Sequence, residues 1–240
     1  MSQGNAPIPG PRRTLPTSFE RDLVALRRRL MREASVAIGM LEAALSALWP
    51  LDVDSAREVR ARDDRVDREE VAIEAECLRL LALQNPVGAD LRQIAFCMKV
   101  NADIERVADH SSSIAKLSQR ISQPPPKWPT ALIELGERVP LMCYDLLRAV
   151  LSEDTDGARE IVKRDKMIDR LDDRLFEEVL ERLDTEPDRA PDALIIYRIG
   201  RELERIGDLM GNIAEDVVYL VTGEIIRHEK RWRRPPDPAA

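Results

Sequence analysis

The sequence predicts an all-α protein built as two tandem three-helix bundles, six long helices in all, related by pseudo-twofold symmetry. Three observations carry this. Apolar residues recur at spacings of three and four over long stretches, the period of one face of a helix. Charged residues make up 34% of the chain and aromatics 4%, a mixture that suits narrow helical cores better than sheets. Finally, DIERVADHSSSIAK (103–116) is rewritten as ELERIGDLMGNIAE (202–215), which points to internal duplication of a three-helix unit.

Residues 1–17 contain Pro7, Pro9, Pro11 and Pro16 and read as a disordered N-terminal arm. Thr17 or Ser18 can cap the first helix. Its apolar face (Leu23, Leu26, Leu30, Ala34, Ala37, Leu41, Ala44 and Leu48) runs until Trp49-Pro50 stops it. A second helix is expected from Asp54 to about Gln84, and Asn85-Pro86 separates it from a third that reaches about Ile121. The stretch SQPPPKWP (122–129) can neither continue a helix nor pair in a sheet. It divides a first bundle at 18–122 from a second at 130–228, with 123–129 as a proline-rich linker. Helices are expected at 130–152, 154–184 and 191–228, and the basic, proline-containing residues 229–240 read as a disordered tail.

The duplication reaches the second helix of each unit. VRARDDRVD (59–67) matches IVKRDKMID (161–169) at an offset of 102, against 99 for the later motif, so a small insertion separates the helices.

Several function classes are excluded. The net charge of −7 arises from 44 acids and 37 bases spread along the chain, with no basic block of the kind that binds nucleic acid. No segment offers the ~18 apolar residues that a bilayer span requires, nor a signal peptide. Cys77, Cys97 and Cys143 are odd in number and set among apolar neighbours, which reads as reduced core thiols of a cytosolic protein. Neither G-x-x-x-x-G-K-[ST] nor G-x-S-x-G occurs.

Four acidic pairs fall at duplicated positions: Asp63/Asp67, Glu105/Asp109, Asp165/Asp169 and Glu204/Asp208. A spacing of four places both carboxylates on one side of a helix, one turn apart. With Ile104 at the centre of the apolar face, Glu105 lies about 100° and Asp109 about 140° away, so each pair flanks the buried stripe. Like charges at that spacing destabilise a helix and call for neutralisation. The adjoining arginines, Arg62, Arg106, Arg164 and Arg205, are one source. A hard metal ion such as Fe, Mn, Mg or Ca is the other; zinc fits an all-carboxylate set less well. His110 follows Asp109 and reads first as a polar bundle-edge residue. A carboxylate-metal enzyme is the rival reading, set back by the lack of a general base of suitable pKa.

NPVGADLRQIAFCMKVNADIERVADHSSSIAK and RIGRELERIGDLMGNIAEDVVYLVTGEII resemble the two signature helices of the PhoU family. The resemblance covers about residues 19–228 and rests on the repeated E-R-[IV]-[GA]-D followed by I-A. It implies a cytoplasmic, non-enzymatic regulator of phosphate uptake, a homodimer. Such a protein acts as a scaffold between the PstB-type ATPase of the phosphate ABC transporter and a PhoR-type sensor kinase, which it restrains when phosphate is plentiful. It further implies multinuclear metal clusters, often iron or zinc, with Asp63, Asp67, Glu105 and Asp109 as ligands in the first half and Asp165, Asp169, Glu204 and Asp208 in the second.

Overall fold

Thr17 opens the part of the chain that this computed structural model describes, residues 17–226. The remainder of the predicted arm and the predicted tail at 229–240 lie outside the described residues. Thr17 accepts a hydrogen bond from the Glu20 N–H while the Glu20 carboxylate accepts one from the Thr17 N–H, a reciprocal cap for α1 (Ser18–Leu48). There follow α2 (Val53–Gln84), α3 (Gly88–Ser118), α4 (Thr130–Ser152), α5 (Thr155–Thr185), a short 3-10 turn (Pro187–Arg189) and α6 (Ala190–Thr222).

The duplication extends to the turns. Asp52 caps α2 through the N–H groups of Asp54 and Ser55, and Asp154 caps α5 through those of Asp156 and Gly157. The residue before each cap, Leu51 and Glu153, takes the left-handed conformation, at φ of 56° and 55°. The Asp52 N–H reaches the Ala47 carbonyl at 2.9 Å, and the Asp154 N–H reaches that of Ala149 at 3.0 Å. Two non-glycine residues in a conformation that costs on the order of 1 kcal/mol are thus each followed by the same backbone bond and the same aspartate cap.

Helices α1, α2 and α3 pack on one another, as do α4, α5 and α6, and the units join through α3 on α6 and α1 on α4. One apolar core runs through both, from Leu26 and Leu41 through Ile114 to Leu132, Ile196 and Val217. The three cysteines are free and buried in it. The proline-rich linker is fastened to both units. Trp128 sets its ring edge-on to Trp49 at 5.5 Å and donates its indole N–H to the Trp49 carbonyl at 3.2 Å. The Ser122 N–H donates to Asp192, and Arg189 donates to the Ser122 and Pro124 carbonyls.

Two helices end earlier than their periodicity suggests. α3 stops at Ser118, where the hydroxyl turns back to the Ala115 carbonyl and the Arg120 N–H bonds Leu117. α6 stops at Thr222 because Gly223 follows with φ 76°, the left-handed glycine that terminates helices.

Close approach explains an inequality between the halves. At Gly200 a Cβ would lie 2.0 Å from Leu175 Cδ2, a fully enclosed side chain. The matching Asn101 in the first half instead donates its amide to the Glu70 carbonyl at 2.8 Å. Gly200→Ala gains roughly 1 kcal/mol of helix propensity but overpacks a closed seam at about 1–3 kcal/mol. The overpacking dominates, and urea unfolding should show a lower midpoint at unchanged m-value.

Candidate functional site

The eight predicted ligands stand on the seams where α2 meets α3 and α5 meets α6. Asp63 and Asp67 project from α2, Glu105 and Asp109 from α3, Asp165 and Asp169 from α5, and Glu204 and Asp208 from α6. Asp63, Asp67 and Asp109 bring one carboxylate oxygen each to within 4.8 Å of one another, and Asp165, Asp169 and Asp208 do the same. The two glutamates stand beside these triads. Glu105 shares a hydrogen bond with Asp109. Glu204 is drawn to Arg201 at 3.1 Å, and Arg201 also holds Asp172 at 2.8 Å.

Crowding and burial mark these groups electrostatically. Burial first, and the Asp109 carboxylate next, push Glu105 up to about 7. Burial, then Asp208 and Asp169, push Asp165 up to about 6. Asp63 is raised by burial and by Asp109 and Asp67 against a hydrogen bond from Ser112. Asp208 is raised by burial and Asp169, and Glu204 by burial and Asp208 against the pull of Arg201.

The adjoining arginines do not neutralise the pairs. Arg164 bonds Asp145 at 2.5 Å, Arg106 faces Asp103 at 3.5 Å, and Arg205 faces Glu202 at 3.6 Å. Arg62 forms no ion pair among the described residues. Among the described residues the arginine that forms an ion pair with a predicted ligand is Arg201, which does not adjoin any of the four acidic pairs in sequence. An R-x-x-E spacing preceding Glu204 was its only signal, and Ala102 occupies the matching place in the first half. His110 reaches across the units, its Nδ1 2.6 Å from Glu202.

A divalent cation fits the triads. The Oδ1 atoms of Asp63 and Asp165, a duplicated pair, are buried without a hydrogen-bond partner, a state that is costly unless something fills it. Oxygen ligands at about 2.0–2.6 Å from an ion stand no more than about 5 Å apart, so the triads need little closure. An all-oxygen donor set suits Mg, Mn, Ca or ferrous iron.

The comparisons with known proteins agree with a fold of two tandem units. The pattern of the PhoU domain matches residues 30–118 and again 132–217. A phosphate-specific transport system accessory protein PhoU homolog of Deinococcus radiodurans is 34% identical over 207 residues, 86% of this chain and 97% of the relative. The PhoU of Escherichia coli with the same descriptive name is 29% identical, covering 88% of each chain. The crystal structure of PhoU from Pseudomonas aeruginosa superposes with a TM-score of 0.83 at 31% identity, covering 86% of this chain and all of the other.

The raised carboxylates set the sign of a pH dependence in metal-free protein. Glu105 moves from an ordinary 4.5 to about 7 and Asp165 from 3.8 to about 6, so the folded state holds more protons than the unfolded chain in that window. Their stabilising contribution is complete below the ordinary values and is lost as pH rises through the folded ones. The melting temperature of chelated protein should therefore fall between about pH 5 and pH 8, and Glu105→Gln should flatten the fall. Added Mn²⁺ should raise the upper end of the profile.

Proposed function

The chain belongs to the PhoU family, whose domain it carries twice, and from this premise we propose that it regulates phosphate uptake as a non-enzymatic scaffold. It docks on the PstB-type ATPase of a phosphate ABC transporter and on a PhoR-type sensor kinase, restraining the kinase when phosphate is plentiful. The observation that carries this is the near-complete overlap with relatives named as phosphate-specific transport system accessory proteins, 97% of one and 88% of another. No described helix is long and apolar enough to cross a membrane, which suits a cytoplasmic protein that meets the membrane through its partners. A homodimer is part of the same reading.

Asp63, Asp67 and Asp109 would hold metal at one seam, with Glu105 beside them, and Asp165, Asp169 and Asp208 at the other, with Glu204 beside them. Iron, manganese, magnesium and zinc are the candidates. Bound there, a cation cancels the mutual repulsion of the carboxylates and ties α2 to α3 and α5 to α6. The chain's own residues then present two acidic faces whose shape depends on metal.

A pull-down against the purified ATPase and the cytoplasmic part of the kinase tests this, with wild type compared to Glu105→Gln/Asp109→Asn/Glu204→Gln/Asp208→Asn and metal measured in both. Wild type should bind and carry metal, and the folded variant should lose both. Binding that persists without metal leaves the acids a structural role, and no binding at any phosphate level ends the scaffold reading.

A second reading has one observation in its favour. The sequence counted the lack of a suitable general base against a carboxylate-metal enzyme, yet Glu105 stands beside the first triad and, in metal-free protein, burial pushes it up to about 7, toward the range of a general base. Steady-state hydrolysis of simple phosphoesters in Mn²⁺ that disappears in Glu105→Gln would establish that enzyme. The scaffold reading expects no turnover.

A further inference from the structure

Beside the first acidic triad lies a groove of about 420 Å³, walled by α2, α3 and α6. Asp63 and Asp109 form one edge. Around the rest stand Arg60 from α2, Lys116, Ser112 and Ser113 from α3, and Arg205 from α6. Arg60 and Lys116 form no ion pair among the described residues. Glu202, the remaining acid of the groove, is already shared between His110 at 2.6 Å and Arg205 at 3.6 Å.

The duplication supplies a control within the same chain. The acids of the triads are repeated, and so is the arginine of the rim, since Arg205 corresponds to Arg106, but the rim residues of α2 and α3 are not. Arg60, His110, Ser112 and Lys116 correspond to Val162, Leu209, Gly211 and Glu215. Glu215 stands near enough to Asp165 to disfavour its ionisation, so the second seam adds a carboxylate where the first adds an ammonium group. One site gathers further ligands for a cation; the other surrounds its acids with cations and hydroxyls, donors suited to an oxyanion.

We propose that the α2–α3–α6 groove binds inorganic phosphate, held by Arg60, Lys116 and Arg205 with the Ser112 and Ser113 hydroxyls, and that the second seam has no such site. This rests on the reading of Asp63, Asp67 and Asp109 as metal ligands, because without a cation Asp63 and Asp109 would repel a dianion. With that charge cancelled, the groove is cationic. Oxygen-bound divalent ions commonly keep positions open for phosphate oxygens. Because Arg205 and Glu202 come from the second unit, an occupant of this groove touches both halves of the molecule.

Equilibrium dialysis of full-length, Mn²⁺-loaded protein with radiolabelled phosphate, alongside elemental analysis, tests the site. About one phosphate per chain is expected, and none in chelated protein. Arg60→Ala and Lys116→Glu should each weaken phosphate binding about tenfold or more while metal content holds or rises. Metal-loaded protein that binds no phosphate, or variants that bind it as wild type does, overturn the proposal and leave the metal reading intact. Protein that takes up no metal overturns both. A phosphoserine peptide that displaces the label at lower concentration than unlabelled phosphate does overturns the free ion as the occupant.

Discussion

Carboxylates gathered at two helix seams repel one another, and the chain keeps them there by packing the other side of the same helices. Val66 lies buried between Asp63 and Asp67, and Ile168 between Asp165 and Asp169. Ile104 and Leu203, each one residue before a paired glutamate, are also enclosed. Like charges one turn apart cost about 0.2–0.5 kcal/mol per pair, whereas enclosing a Val, Leu or Ile side chain contributes about 1.5–3 kcal/mol. The packing wins, so the fold tolerates acids that the local electrostatics oppose. The long helices of each unit follow from the same need, since a register shift would carry the acids away from the seam or the stripe away from the core. Gly200 lets α6 come close to α5 where Leu175 fills the contact.

The two seams share their acids but not their surroundings. In the second, Arg201 neutralises Asp172 and Glu204 and Glu215 adds charge near Asp165. In the first, Glu70 is raised by burial and by Glu74 and Asp67, Glu105 by burial and Asp109, and Ala102 stands where an arginine would help. Duplication fixed the backbone and the triads, and the later divergence lies in the residues around them. That is the pattern expected when one copy keeps a structural role and the other is free to acquire a ligand.

Much of this was legible in the sequence because its signals are local. Period, caps and prolines placed six helices, and the repeated acidic words placed six aspartates at two seams. The early end of α6 was also legible, in Gly223, but the apolar run VVYLVTGEII masked it. What could not be read was pairing between helices. Whether Arg164 faces Asp165 or Asp145 depends on the rotation of α5 against α4, and the sequence offered the nearer partner. Arg201 with Asp172 spans two helices, and Arg205 and Glu202 enter the first unit's groove only because α6 packs on α3. The shifted acidity of Glu105 likewise depends on how deeply the seam buries it, which no spacing expresses.

A regulator that changes partners must offer contacts that differ between its states. Ions within each seam would stiffen the pairs α2 with α3 and α5 with α6, leaving the contact of α3 on α6 as the junction best placed to vary. Its polar ties among the described residues include His110 to Glu202 at 2.6 Å, Lys99 to Asp216 at 2.7 Å and the Arg92 guanidinium to the Leu220 carbonyl at 3.3 Å. All join helices of different units, and the first lies in the groove beside the first acidic triad. A dianion there competes with Glu202 for Arg205 and repels the Glu202 carboxylate, so it acts on that tie without disturbing the apolar core beneath. The linker, fastened to the first unit through Trp49 and Trp128 and to the second through Arg189 and the Pro124 carbonyl, limits how far they can part. Any motion that transmits the change is therefore a small sliding of α3 against α6 and not a separation of the halves.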